Sequence, residues 1–490
     1  MKEKSIKANV LLNIIRLVSS ILLPMISYPY ISRVLGPTQL GKVDFAASII
    51  NYFAIIAGLG IPSYGVICCS KVRNHKEKLK KTVSELLVIN FALTFIAYLT
   101  LFIVLAVVPA FQNKQKEILI YSLTLFCTTL GIDWLYSALE EFKYITIRSI
   151  AFKVISVVLM LLLVRNPNDY IVYECILIFS TVGSNVLNFI HARGYIDFSG
   201  LKVIDLKEHF TPILMFASAS IASTINANTD TAMLGLLKDD YEVGLYGFSV
   251  KFKNLLINAN NAALTVMVPR LSYYVGQHDK TQYDVLLKKA ADSVMAIACG
   301  IPVFFCVFVD ETIRIVGGDN YIEAVGTMIV LNLCVIALGA TWIMGVGVLQ
   351  TFGRQALYAK TMWFAVIVNI AVNMLLIPQF GALGAAIATL ITEIFNTVMF
   401  YHYCKDILYG NIRWLSYGKL LAIALVSSFI IKYSMTYVHA NLVVKLIFAA
   451  VLYGLLYSGA VLALLPNIRS ITKQILNTVL KGKIIWFQEK

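Results

Sequence analysis

Two neighbouring apolar segments carry polar and charged side chains at helical spacing. The first stripe consists of Ser223, Asn226 and Asp230, and the second of Lys251, Asn254, Asn258 and Asn261. At about 100° per residue, the first stripe spans roughly 60° of helix surface and the second about 80°. A charge at bilayer depth costs at least ~2.5–3.5 kcal/mol on insertion scales, so it faces a bundle interior or a water-filled cavity. The two stripes therefore predict a polar chamber.

The composition indicates what surrounds this chamber. The chain has 490 residues, of which 59% are hydrophobic and only 14% charged. A soluble protein carries about 25% charged residues. Apolar runs of the ~20 residues that a bilayer needs recur along the chain, as in helical membrane proteins with many spans. The N-terminus is basic and is followed by no small-residue cleavage site, so we expect a retained first span.

We predict an all-α membrane protein with about 14 transmembrane helices. The predicted limits are 8–33, 43–68, 83–109, 117–138, 145–164, 171–192, 211–236, 243–268, 286–309, 322–349, 358–378, 382–404, 416–437 and 441–465. Residues 1–205 form a lobe of spans 1–6, and residues 206–410 a lobe of spans 7–12. Spans 13–14 and a cytoplasmic tail occupy 411–490. A central cavity between the two lobes is expected. The chain contains no long loop or linker, which favours a transporter over a surface enzyme.

The net charge of +14 has a topological explanation. Lys and Arg concentrate in alternate loops, including 71–81, 193–207 and 270–289. The positive-inside rule places these loops and both termini in the cytoplasm, and it removes the need for a nucleic-acid partner. The eight cysteines and six histidines show no ligand spacing, so we expect neither a metal nor another cofactor.

Three segments that we expect to turn on the outward side of the membrane resemble an internal repeat. The segments 32–49, 236–250 and 377–392 each have a glycine-containing turn followed by small residues that begin a helix. The first two lie six spans apart, and repeats of this kind build transporters whose halves move about a central site. Turns of this composition also arise between spans without any duplication.

Further polar residues lie on single helix faces of other spans. Arg16 shares a face with Asn9, Asn13 and Ser20, and Lys153 shares one with Ser149 and Ser156. Arg16, Lys153 and Lys253 have no acid within one turn, and Lys253 lies opposite Lys251 on its helix. The predicted cavity residues are Arg16, Lys153, Asp230, Lys251, Lys253, Asn226, Asn254 and Asn258. The candidates for the cavity mouth or for energy coupling are Arg33, Asp44, Arg148 and Glu393.

Structural roles compete with these assignments. Single Ser, Thr and Asn residues in spans often serve helix packing. Asp230 and Lys251 could form a structural ion pair, and Arg33 and Asp44 could be interfacial. Arg148 could be a cytoplasmic anchor. The expected interior is nevertheless more basic than acidic, which suits phosphate, while the amide and hydroxyl stripes suit sugars.

Several segments resemble bacterial polysaccharide flippases of the Wzx type. They are PYISRVLGPTQLGKVDFAASIINYF (29–53), GIDWLYSALEEFKYITIRSIAFK (131–153) and NTDTAMLGLLKDDYEVGLYGFSVK (228–251). The hairpin IPQFGALGAAIATLITEIFN (377–396) is similar to the wider multidrug/oligosaccharidyl-lipid/polysaccharide exporter superfamily. Related sequences often follow a Tyr-Gly in the second span with an Arg-Glu pair; here Tyr64 and Gly65 precede Val66 and Ile67. A role of that pair at the cytoplasmic mouth is therefore in doubt.

The resemblance implies two six-helix lobes, a central cavity, two C-terminal helices and alternating access. The implied cargo is an undecaprenyl-diphosphate-linked oligosaccharide, carried across the bacterial cytoplasmic membrane for surface polysaccharide synthesis. The implied partners are this glycan, membrane lipids, and polysaccharide polymerase and chain-length proteins. The alternatives are a cation-coupled multidrug or metabolite exporter, a lipid II flippase and, from another class, a multispan glycosyltransferase or ligase. The last usually needs a large outward loop, which this chain lacks.

Overall fold

A computed structural model describes residues 6–197, 206–265, 267–408, 410 and 412–480. Every regular element in these residues is helical, so the predicted all-α fold is confirmed. The α-helices are α1 (Ile6–Gly58), α2 (Ile61–Val72), α3 (Lys76–Val107), α4 (Gln115–Gly131), α5 (Asp133–Ala138), α6 (Phe142–Leu163), α7 (Tyr170–Ile178), α8 (Asn185–His191), α9 (Leu206–Leu237), α10 (Asp240–Thr265), α11 (Val268–Gly276), α12 (Lys280–Val307), α13 (Val309–Val316), α14 (Val325–Trp342), α15 (Gln355–Leu408), α16 (Trp414–Met435), α17 (Leu442–Leu464) and α18 (Pro466–Leu480).

Ten helical stretches in the described residues are long and apolar enough to cross a membrane, so the chain is a multi-pass membrane protein. Two of these stretches, Leu23–Val72 and Gln355–Leu408, contain 50 and 54 residues. The backbone leaves helical geometry inside α1 at Gly36 (φ 71°) and inside α15 at Gly381 (φ 55°). The helices α9 and α10, which carry the two polar stripes, contain 32 and 26 residues, and some of their side chains lie outside the described residues. The count of about 14 spans stays a prediction.

The chain divides into two compact units. The first unit comprises Met1–Gly247, Val316–Tyr321 and Asn373–Ala382. In it α1 packs against α3, α4, α6 and α9, and α2 packs against α3 and α5. Its core includes Leu86, Leu135 and Tyr136, all fully buried. The burial of these side chains holds α2, α3 and α5 together.

The second unit comprises Phe248–Ile315, Ile322–Val372 and Leu383–Lys490. The helix α12 is its centre and packs against α14 and α16, while α16 packs against α17. Tyr283, Phe304 and Phe400 are buried in its core. The C-terminal helices thus belong to the same packed body as α12 and α14.

A buried carboxylate ties the C-terminal helices to α12. Asp292 is 1% exposed. It accepts hydrogen bonds from the Tyr417 hydroxyl on α16 at 2.9 Å and from the Asn467 amide on α18 at 2.8 Å. An ionised acceptor makes stronger hydrogen bonds than a neutral one, and these two satisfy both carboxylate oxygens. Asp292 therefore fixes where α16 and α18 pack.

Replacing Asp292 tests this role. Asp292→Ala leaves two buried donors without their acceptor, which costs about 1–3 kcal/mol each. We expect a clear loss of thermal stability in the detergent-purified protein, measured by intrinsic fluorescence. Glu323→Ala, at an exposed acid of the same unit, is the control and leaves the transition unchanged. An equally stable Asp292→Ala protein would contradict the anchoring role.

Candidate functional site

Two of the three glycine-containing turns predicted from the sequence touch through their backbones within the first unit. A Cβ atom on Gly41 would overlap the carbonyl oxygen of Asp240, and a Cβ atom on Gly244 would overlap that of Pro37. Small residues of this kind let helix backbones approach closely in membrane proteins. We call residues 36–41, 240–247 and 381–382 the turn cluster.

The third turn joins the cluster through Glu242. Its Oε2 atom accepts a hydrogen bond from the backbone N–H of Ala382 at 2.6 Å. The Glu242 carboxylate also fills the space that a side chain on Gly381 would occupy. Ala382 begins the second part of α15, so a negative charge here is favourable both as a cap and for the helix dipole.

A partly buried ion pair lies at the same place. Lys114 ends a 3-10 turn, Pro109–Lys114, and its Nζ lies 2.6 Å from Asp240 Oδ1, with side-chain exposures of 18% and 16%. The same nitrogen donates to the Gly235 carbonyl oxygen at 3.0 Å and lies 4.2 Å from the centroid of the Phe45 ring. This bridge holds the start of α4 against the start of α10. Lys114, Asp240 and Glu242 were not among the predicted site residues.

Asp230, the deepest predicted acid, joins three helices. It is 4% exposed. The Tyr246 hydroxyl on α10 donates to Oδ2 at 2.6 Å, and the Asn373 amide on α15 donates to Oδ1 at 2.6 Å. Asn226 lies one turn earlier on α9 and is half-buried. The pairing of Asp230 with Lys251 stays a prediction.

Asn373 was missed by the sequence reasoning although a signal was present. The apolar run of the eleventh predicted span contains Asn369 and Asn373, four residues apart and therefore on one helix face. Both side chains are buried, at 2% and 0% exposure. The spacing resembles that of the two stripes that were recognised.

Arg16 and Lys153 form a like-charge pair in the first unit. Arg16 lies on α1 and Lys153 on α6, two helices that pack against each other. Both side chains are half-buried and lie close enough for their charges to repel. Two cations held together in apolar surroundings are stabilised by an anion placed between them. The structure therefore brings together the two cations that the sequence singled out on separate spans.

Arg148 is a structural residue in the first unit. It is 8% exposed and donates to the Ser184 carbonyl oxygen and to Asp133 Oδ1, each at 3.1 Å. Asn188 donates to the same Asp133 oxygen at 2.8 Å. This network links α5, α6 and α8, as an anchor would.

The other mouth candidates of the first unit lie beside the backbone near the turn cluster. Arg33 is exposed, and its aliphatic part lies next to Gly318. Asp44 is half-buried, and its carboxylate lies against Gly247, where any side chain would collide with it.

The remaining predicted residues belong to the second unit. Lys251 and Lys253 are half-buried on α10, Asn254 and Asn258 are exposed on the same helix, and Glu393 on α15 is 7% exposed. The side chains of Asn9, Asn13, Ser20 and Asn261 lie outside the described residues. Among the residues described, no group of three or more His, Cys, Asp or Glu side chains is arranged to hold a metal.

The fold and these polar faces define a helical membrane protein with many spans and charged residues inside its bundle. Residues 6–275 match the family model described as polysaccharide biosynthesis protein, which is more than half of the chain. The chain therefore belongs to this family. The resemblance to Wzx-type polysaccharide flippases predicted from the sequence is confirmed.

Individual relatives support this family. The chain is 26% identical over 51% of its length to the probable low-salt glycan biosynthesis flippase Agl15 of Haloferax volcanii and spans about half of that protein, 53%. It is 20% identical to a candidate O-antigen transporter of Escherichia coli strain K12, over 82% of this chain and 97% of the relative. A candidate O-antigen transporter of Shigella dysenteriae is 22% identical over 79% of this chain and 97% of its own length.

Solved structures show the same fold. The lipid II flippase MurJ, in an inward closed conformation, superposes with a TM-score of 0.73 at 15% identity, covering 93% of this chain and 99% of MurJ. An inward-facing multidrug resistance MATE family transporter of the MOP superfamily gives a TM-score of 0.60 at 13% identity, covering 80% and 98%. At these identities the likeness concerns the fold alone.

The turn cluster makes a direct prediction at Gly244. Gly244→Ala adds a methyl group where the Pro37 backbone lies, so we expect a lower unfolding temperature in detergent-purified protein. Gly454→Ala on α17 is the matched control, because open space surrounds that helical glycine. There the substitution gains up to about 1 kcal/mol of helix propensity. Two variants of equal stability would argue against the backbone contact.

Proposed function

We propose that this protein is a flippase for undecaprenyl-diphosphate-linked oligosaccharide repeat units. It would carry them from the cytoplasmic to the outer leaflet of the bacterial cytoplasmic membrane for surface polysaccharide synthesis. The family match supports the polysaccharide part of this proposal. The like-charge pair of Arg16 and Lys153 supports the diphosphate part. The relatives are transporters and flippases, and the chain is likewise a transporter and not an enzyme.

The substrate's chemistry fits the residues proposed for the cavity. Arg and Lys bind phosphate oxygens through charge-assisted hydrogen bonds, and Arg can do so with two parallel bonds. Amide side chains such as Asn226, Asn254 and Asn258 suit sugar hydroxyls, which both donate and accept. Lys251 and Lys253 add positive charge. The polyprenyl tail would stay in lipid while the cavity shields the headgroup from the hydrocarbon core.

The proposed mechanism is alternating access between two lobes, residues 1–205 and 206–410. Residues 411–490 form an appended pair of spans and a tail. With both termini in the cytoplasm, the turn cluster lies on the outward side. Release of the cargo outward then requires the Gly41–Asp240 and Gly244–Pro37 contacts and the Lys114–Asp240 bridge to separate. Arg33 and Asp44 lie near this exit, and polymerase and chain-length proteins would receive the product there.

A lipid II flippase is the second candidate. The fold likeness to MurJ over 93% of the chain favours it, and the diphosphate requirement is the same. The polysaccharide family match and the O-antigen relatives favour the first candidate. The basic interior argues against a site built for organic cations.

The like-charge pair provides the first test of the proposal. Arg16→Ala and Lys153→Ala each remove about 1.5–3 kcal/mol of charge-assisted hydrogen bonding to phosphate. Because 1.4 kcal/mol is a factor of ten, we expect transport to fall about tenfold or more. The measurement is translocation of a fluorescent undecaprenyl-diphosphate oligosaccharide in proteoliposomes. Lys78→Ala, at an exposed cation, is the control and keeps full activity. Wild-type rates in both pair variants at equal protein levels would refute the cationic site.

The cellular substrate provides the second test. In a strain that lacks this gene but keeps the later export steps, we expect a diphosphate-linked oligosaccharide to accumulate on the cytoplasmic leaflet. Mass spectrometry of lipid extracts would detect it, reveal its sugars and show its loss when the gene is restored. Accumulation of lipid II instead would favour the second candidate. Unchanged lipids with altered drug tolerance would reject both.

A further inference from the structure

Two buried carboxylates in the first unit lack the partners that burial normally demands. Glu174 on α7 is 0% exposed, and neither of its carboxylate oxygens has a hydrogen-bond partner. Glu117 on α4 is 6% exposed, and its Oε2 has no partner either. Three orphaned carboxylate oxygens in one region are unusual, because nearly all buried polar side chains are hydrogen-bonded.

Tyr170 shows that the two acids are neighbours. Its hydroxyl donates to Glu117 Oε1 at 2.9 Å. Tyr170 and Glu174 are four residues apart on α7 and therefore lie on the same helix face. The helices α4 and α7 pack against each other, and Glu117 and Glu174 lie within range of mutual repulsion. The three carboxylate oxygens without a hydrogen-bond partner thus belong to one pair of acids.

The surroundings of the pair contain few compensating charges. From α4 the exposed Lys116 acts on Glu174, and from α1 the ammonium of Lys42 lies 4.8 Å from the centroid of the Tyr170 ring. From α10, Asp240 lies within electrostatic range of Tyr170. The buried residues in the second half of α6 are the uncharged Ser156 and Met160. Tyr170 and Cys175 are further titratable groups close to the pair.

Two adjacent buried carboxylates cannot both stay ionised at low cost. Like charges a few ångströms apart share one proton, as in paired-acid sites of other proteins. One proton bound at the pair halves its charge and turns one carboxylate oxygen into a hydrogen-bond donor. A proton is therefore a ligand that lowers the free-energy cost of burying both acids.

The pair is also connected to the turn cluster. Lys114, which bridges to Asp240 at 2.6 Å, precedes Glu117 by three residues at the start of α4. Tyr170 contacts Glu117 directly and lies in the field of Asp240. A change of charge on the pair is therefore felt by Lys114, whose bridge holds α4 to α10.

We propose that Glu117 and Glu174 together bind one exchangeable proton, and that the Lys114–Asp240 bridge responds to its binding and release. With the proton bound, the pair carries a single negative charge and Lys114 stays with Asp240. When the proton leaves for solvent, the second negative charge attracts Lys114 away from Asp240 and loosens the contact between α4 and α10. The site is distinct from the cationic pair of Arg16 and Lys153.

Infrared spectroscopy of the purified full-length protein in lipid nanodiscs tests the site without any transport substrate. We expect a protonated-carboxyl band that disappears as pH is raised and shifts in D₂O. Glu174→Gln should remove it. Glu117→Gln should move its midpoint to lower pH, because Glu174 stays buried when the neighbouring charge is lost. Asp230→Asn and Glu393→Gln should leave the band and its midpoint in place. Size-exclusion profiles and unfolding temperatures confirm that each variant is folded. A band that never titrates, that survives in Glu174→Gln, or that keeps its midpoint in Glu117→Gln would overturn the proposal.

Two further experiments identify the ligand of the carboxylate pair and test its coupling to the Lys114–Asp240 bridge. Exchanging sodium chloride for choline chloride should leave the midpoint of the band unchanged, and a midpoint that falls as sodium rises would assign the site to a metal cation instead. In Asp240→Asn the charge of Lys114 is no longer neutralised, so the midpoint should move to lower pH. An unmoved midpoint in Asp240→Asn would refute the link to the bridge. Neither experiment depends on the substrate proposed above.

Discussion

The contact between bare backbones in the turn cluster is the constraint on which the first unit depends. Gly41 meets the Asp240 carbonyl and Gly244 meets the Pro37 carbonyl, so no side chain can be inserted at either point without moving a helix. Only at this separation can Lys114 reach Asp240, and Glu242 reach the N–H of Ala382. Buried apolar side chains of the same segments, Leu40, Val243 and Leu245, pack around this backbone contact.

Charges inside the first unit fall into two classes. Asp230 and Arg148 are surrounded by hydrogen-bond partners and fix the helices that meet at them. The pairs Arg16–Lys153 and Glu117–Glu174 instead place like charges within electrostatic range of each other. Groupings of this kind cost free energy in an apolar interior, and a counter-charge offsets this cost. The first class explains how the bundle holds together, and the second is where we propose that ligands bind.

The sequence predicted the helical membrane fold, the family and several of the charged residues in the spans, because apolar runs and helical periodicity are local signals. Asp230, Arg16 and Lys153 stood out as charges in such runs. Their partners did not, since Tyr246 and Asn373 come from other helices and only packing brings them to Asp230. Glu117 and Glu174 each follow a short turn and were not singled out in the sequence. Their burial depends on how α4 and α7 pack, which no local pattern records.

The polarity of α9 and α10 has a consequence for how the protein is made. These helices carry charged side chains, Asp230 on α9 and Lys251 and Lys253 on α10, and such charges make insertion of an isolated helix into lipid unfavourable. They become stable in the membrane only when earlier helices accept them, and α1 and α2 both pack against α9. Asp230 can accept its hydrogen bond from Asn373 only after the ribosome has synthesised more than a hundred further residues. A nascent chain interrupted before α15 thus lacks one of the two hydrogen bonds that hold the buried Asp230 carboxylate.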